Sequence, residues 1–312
     1  MAKQAKSQGG SAASASAVKD SPPADRQLAG FLFCLPGIVL LATMLLVPFL
    51  MAFGLSFTSL RLASPLPVRF VGLDNYIAIL TSESFWQALG NNLYFTAVVV
   101  PIQTGLALWL AILVNRPLKG IVTFRAIYFT PVVVVMTVTA TIWLILFNPD
   151  RGLINAILRF ISAGRLESNW LRSPTMAMPA IMIMSVWQGV GFQMIIILAG
   201  LQDIPKELYE TSEIDGASRK QQFLYVTVPM LRNTLIFVAT VTMILAFRLF
   251  DQVWVTTRGG PLGATRTMMI EMVQLGYERQ MISRGATVAV IFFLIVISIT
   301  IVQRRLIREE VN

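Results

Sequence analysis

The chain has 312 residues, a formal net charge of +9, a single cysteine and no histidine. It is 55% hydrophobic and 13% charged, with a mean hydropathy of +0.69, which excludes an ordinary soluble domain, where about a quarter of residues are charged. The absence of histidine removes His-based catalysis, His metal sites and His proton relays. No G-x-x-x-x-G-K-[ST] phosphate loop occurs, so no cofactor or metal is expected on this chain, and any ATP and Mg must sit on another.

Residues 7–17 (SQGGSAASASA) offer nothing to bury, and a disordered cytoplasmic leader is expected over 1–27. Beyond it, residues 27–60, 84–115, 126–149, 173–202 and 285–303 contain no Asp, Glu, Lys or Arg. Each is long enough for the roughly 20 apolar residues of a spanning helix. A sixth apolar segment, 233–254, is interrupted only by Arg248 and Asp251. None alternates in polarity as barrel strands do. The fold expected is therefore all-α and polytopic. Its six transmembrane helices fall at about 30–57, 88–114, 126–147, 176–200, 233–254 and 285–303 of a membrane domain 28–305, with a tail over 306–312. The first segment is too long for a signal-peptide core, and Cys34 inside it reads as a small lipid- or core-facing residue.

With the N-terminus inside, fourteen basic residues flank the spans on the cytoplasmic side against ten outside, and all six lysines are inside. Both termini are expected in the cytoplasm. The positive charge is spread over these flanking loops and requires no nucleic-acid partner.

Span four contains SVWQGVGFQM at 185–194. Gln188 beside Gly189 offers a polar group on accessible backbone, and Trp187 or Phe192 offers a stacking surface for a sugar ring. The competing reading is helix packing, since small residues let spans approach and aromatics fill cores.

The next stretch, DIPKELYETSEIDGASRKQQFLYVTVP over 203–229, concentrates charge between two apolar segments. Pro205 suits a first helical position, and Glu207 and Glu210 favour the helix's positive end. Gly216 suits a left-handed stop. Ser218 and Gln221 have capping-box spacing, and Pro229 should close or kink the second helix. Two short helices around a glycine corner follow, with the small residues Thr211, Ser212 and Ala217 and the charged Glu210, Glu213 and Asp215. Such a knob fits a socket on a partner; a solvated hairpin without partner is the alternative.

Span five contains AFRLFDQVW at 246–254. Arg248 in a span is costly, about 2.5–3.5 kcal/mol at the centre. At about 1.5 Å per residue it lies past the midplane, within snorkelling reach of the outer surface. Asp251, three residues on, is placed to pair with it on a continuous helix. The pair either faces solute or serves structure. Glu271 and Glu278, the nearest carboxylates for an intramembrane enzyme, read as a solvated loop helix.

The loop resembles the EAA loop of membrane subunits of binding-protein-dependent ABC importers. The pattern there is E-A-A, three residues, G, nine residues, I-x-L-P. This chain has Glu210-Thr211-Ser212, Gly216 and Val226-Thr227-Val228-Pro229 at the same spacing. GLDNY at 72–76, Arg125, Pro131, Trp143, Gly152, Asn155, Gly200-Leu201 and TRGGP at 257–261 also resemble sugar-importer permeases of the maltose-permease type, and the first of the two paired permeases in particular.

The resemblance implies a type I ABC importer permease fold and a permease subunit in the bacterial inner membrane, not an enzyme. Its partners would be a second permease in a heterodimer, two copies of a cytoplasmic ABC ATPase, an extracytoplasmic solute-binding protein, membrane lipid and a carbohydrate-type solute. On this reading Glu210, Thr211, Ser212, Asp215, Gly216, Ala217 and Pro229 couple the loop at 203–230 to the ATPase. Trp187, Gln188, Gly189, Phe192, Arg248 and Asp251 would line the solute path. A stand-alone secondary transporter or channel is the alternative. It would have no use for such a loop and would more often show acidic residues deep in its spans or helices broken in matched halves.

Overall fold

The computed structural model describes residues 24–116, 119–163 and 167–309. The expected leader lies outside them up to residue 23, and the expected tail from residue 310. The chain divides into two compact units, 1–50 and 51–312.

In the first unit, helix α1 (Ala24–Leu41) passes through a π-helical turn (Ala42–Leu46) into the start of α2 (Val47–Ser56), whose residues from 51 on belong to the second unit. The helix begins within the stretch expected to be leader.

The second unit adds α3 (Asp74–Leu80), α4 (Glu83–Val114), α5 (Ile121–Val133), α6 (Met136–Leu146), α7 (Leu153–Ile161) and α8 (Ala177–Gln202). There follow α9 (Lys206–Ile214), α10 (Arg219–Gln222), α11 (Val228–Met230), α12 (Arg232–Phe247), α13 (Asp251–Thr256), α14 (Met268–Val273) and α15 (Ile282–Glu309). Among the described residues, five helices are long and apolar enough to cross a membrane, or six if the bent pair α5–α6 is one span. Helix α15 continues to Glu309, into the expected tail.

The bend between α5 and α6 is 98°. Val134 and Val135 there are extended, with ψ of 130° and 135°. The β-branched run Val132–Val135 tolerates that backbone, and Pro131 just before it weakens the helical ladder. Two π-helical turns also have a proline cause. Val47 and Val228 donate to carbonyls five residues back, Ala42 and Phe223, and Pro48 and Pro229 follow directly. A proline ring would strike the carbonyl four residues earlier, and the wider turn relieves that contact.

Span five is interrupted over Arg248–Phe250. The carbonyls freed by the break find donors elsewhere. Asn92 Nδ2 donates to Phe247 O at 3.2 Å, and Thr267 Oγ1 donates to Leu249 O at 2.9 Å.

The core is built on α4, α8 and α12. One cluster joins Ala107, Leu110 and Ala111 to Met194, Ile197 and Val238, and another joins Phe95 and Val99 to Ile181 and Leu249. At Gly191 the crossing of α8 over α5 is so close that a Cβ would lie 1.9 Å from Tyr128 O. Small residues permit such approaches between spans.

A polar network fastens the loop after span five to the start of α4. Asn91 Nδ2 donates to Gly263 O and Arg266 O, and Asn92 Oδ1 accepts from Met268 N. Glu271 accepts from Ser84 Oγ at 2.7 Å and faces Arg266 Nε at 3.6 Å. Glu271 is only 3% exposed, which corrects its reading as a solvated loop residue. Its neutralising partners come from a distant helix and the preceding loop.

Candidate functional site

The polar stretch after span four folds as two arms around a corner. Pro205 is the N-cap of α9, one position before the helix proper, and Ile214 ends it. At the corner, Gly216 has φ +78°. Gly216 N–H donates to Glu213 O and Ala217 N–H to Ser212 O, the two bonds of a Schellman stop. Ser218 then starts α10 with both halves of a capping box, its side chain accepting from Gln221 N–H while Gln221 Oε1 accepts from Ser218 N–H.

The arms are tied to each other. Tyr209 and Thr227 hydroxyls lie 2.9 Å apart, and Gln222 Nε2 donates to Ser212 Oγ at 3.0 Å. Ser212 is thus engaged inside the hairpin and half-buried, whereas Glu210, Thr211, Glu213, Asp215 and Gly216 are exposed. Ile214, at the tip, is 87% exposed. Pro229 does not close the second helix. It sits within α11, and the break comes at Leu231, because the π-helical turn accommodates the ring.

The arms lead straight into α8 on one side and α12 on the other, and these two helices line a cavity of about 330 Å³. Five residues singled out in the sequence lie on its wall: Gln188, Gly189, Phe192, Arg248 and Asp251. Trp187 does not. It lines a separate apolar groove with Trp109 and Tyr128, and its ring meets Trp143 edge-on at 5.7 Å. Gln188 Nε2 donates to Val134 O at 2.9 Å, so it caps the bend of span three as well as facing the cavity. The expected Arg248–Asp251 ion pair is absent among the described residues. The unwound turn between them removes the i, i+3 geometry, and both side chains are exposed.

Sequence reading missed several polar wall residues. Gln103, Ser185, Gln193, Thr242 and Gln252 also line the cavity. Gln193 Nε2 bonds Thr242 Oγ1, and Gln252 Nε2 donates to Ser185 Oγ at 3.0 Å. Gln193 is 4% exposed, and its Oε1 has no partner among the described residues. The available signal was four glutamines in otherwise apolar spans, at 103, 188, 193 and 252.

A profile of the family described as binding-protein-dependent transport system inner membrane component matches residues 103–309. The trehalose/maltose transport system permease protein MalF of Thermococcus litoralis is 35% identical over 88% of this chain and 91% of its own length. The sulfoquinovosyl glycerol transport system permease protein SmoG of Agrobacterium fabrum is 31% identical over 92% of each chain. Among solved structures, a chain of the bacterial alginate ABC transporter, crystallised in complex with alginate pentasaccharide-bound periplasmic protein, superposes with a TM-score of 0.78. It is 19% identical and the match covers 91% of this chain and 96% of that one, a likeness of fold.

Proposed function

The chain belongs to the family of binding-protein-dependent transport system inner membrane components, and from that premise we propose how its parts work. It is a multi-pass permease subunit of an ATP-driven importer. In our reading it forms the solute path with a second permease. The two-armed corner docks on one of two ABC ATPase subunits, which carry the ATP and Mg, and an extracytoplasmic binding protein delivers solute. Both termini lie in the cytoplasm, as the lysine distribution suggests.

The observation that carries the coupling role is one of connectivity. Two of the helices that line the cavity, α8 and α12, are the ones that enter and leave the corner. A displacement of the corner by ATPase closure is transmitted to both walls, because the Tyr209–Thr227 and Gln222–Ser212 bonds make the arms one body. Glu210, Thr211, Asp215, Gly216 and Ala217 present the contact. Ser212 supports it from within, and Pro229 sets the return toward span five.

The solute we propose is a neutral, carbohydrate-type polyhydroxyl compound. Most polar side chains on the otherwise apolar wall are uncharged donors and acceptors, four of them glutamines, and Arg248 and Asp251 are of opposite sign. The names of the trehalose/maltose and sulfoquinovosyl glycerol permeases support the carbohydrate class, and the first of them supports neutrality. Gln193 Oε1 is a buried acceptor awaiting a donor, the role a sugar hydroxyl fills.

The test is capture of this chain by a C-terminal tag from native membranes in mild detergent. A second six-span permease and an ATP-binding subunit should accompany it. Recovery of the chain alone would reject this reading in favour of a self-contained carrier.

A further inference from the structure

Helix α7 is amphipathic in the opposite sense to a helix of a soluble protein. Leu153, Ile157, Phe160 and Ile161 fall on one face at i, i+4, i+7 and i+8. That face is the exposed one, with Phe160 89% and Ile161 76% accessible. The polar residue points inward. Asn155 is buried, donates to Pro149 O and Ser168 O, and accepts from Trp170 Nε1. Arg159 lies on that side too, donating to Asp150 O and facing Glu167 at 3.7 Å. Exposing an apolar face to water while burying an amide runs against the hydrophobic effect. The exposed face therefore has an apolar medium against it.

We propose that α7 is an interfacial helix lying flat in the membrane surface, its apolar face in the acyl boundary of one leaflet. Three observations select lipid as the occupant. The helix has nine residues, about 14 Å, too short to cross. Six residues separate it from the end of α6, in a compact turn in which Gly152 N–H donates to Asn148 O and Asn148 Oδ1 accepts from Asp150 and Arg151 N–H. That keeps it at the height where span three leaves the bilayer. The segment is also edged by Arg151, Arg159 and Arg172 against Asp150 and Glu167, a basic surplus that complements anionic headgroups. Which leaflet it occupies rests on the orientation proposed above; its contact with lipid does not.

The experiment uses the chain as it purifies from native membranes, with whatever subunits accompany it, in nanodiscs containing anionic lipid, with Cys34→Ser as background. An environment-sensitive fluorophore is placed singly at Ile157→Cys, at Phe160→Cys and, as control, at Asn169→Cys, which is exposed on the following loop. Labels at 157 and 160 should lose most of their emission to lipids brominated near the headgroup and little to iodide, with the reverse at 169. Iodide quenching at 157 and 160 would overturn the proposal. So would protection from both quenchers, which would place the face against a second subunit instead. The copurification outcome leaves this readout untouched, so the two readings fail separately.

Discussion

Gly216 and Gly191 are glycine for different reasons. At Gly216 a Cβ would meet nothing within 4 Å, but φ is +78°, a conformation costing other L-residues about 1–2 kcal/mol. Gly216→Val should therefore insert normally and lose uptake while the ATPase continues to turn over. Gly216→Asn, which tolerates that backbone, should keep most transport. Normal uptake by the valine variant at matched membrane levels would reject the coupling role. Gly191→Ala meets the Tyr128 carbonyl instead and should cost about 1–3 kcal/mol of overpacking, read as a lowered Tm of the purified complex. At the cavity, Gln193→Leu removes an acceptor worth about 1 kcal/mol, so half-saturating solute should rise about five-fold with assembly intact. Unchanged affinity would remove Gln193 from the path.

At the scale of elements, the two-armed hairpin was readable because its information is local. A glycine stop, a Ser-x-x-Gln box and two prolines lie within one window, and each acts on neighbours a few residues away. Ser218→Ala deletes the cap and should cost the second arm about 1 kcal/mol, seen as faster amide exchange over 219–223 without loss of the spans. Unaltered exchange there would mean that the Tyr209–Thr227 and Gln222–Ser212 bonds hold the arm without the cap. What sequence could not supply was set by distant partners or by breaks. Arg248 and Asp251 read as a helical pair only if span five is unbroken, and the break is stabilised by Asn92 and Thr267 from elsewhere. Glu271 is buried by Ser84, 187 positions away. The bend of span three falls after Pro131 rather than at it, within a valine run that by composition suits a span equally well.

Across the whole molecule, six apolar segments and the loop between the fourth and fifth were enough to indicate the fold class. The cavity was only half legible, since Gln103, Gln193 and Gln252 meet through packing of three separate helices. The network at the start of α4 has a mechanical consequence. Asn92 and Thr267 clamp span five at Phe247 and Leu249, so on the proposed reading α12 should pivot as a lever with its fulcrum at the clamp and its effort arm at the two-armed corner. The arm is fifteen residues, about 22 Å, and Val238 stands nine residues, about 14 Å, from the fulcrum. A push at the corner end should move Val238 by about six-tenths as much and Arg248 hardly at all. Pairwise spin-label distances from α4 to 238 and 248, compared with and without ATP, should change at the first and stay fixed at the second. Such a lever makes one end of the solute chamber a fixed seat and the other its moving jaw.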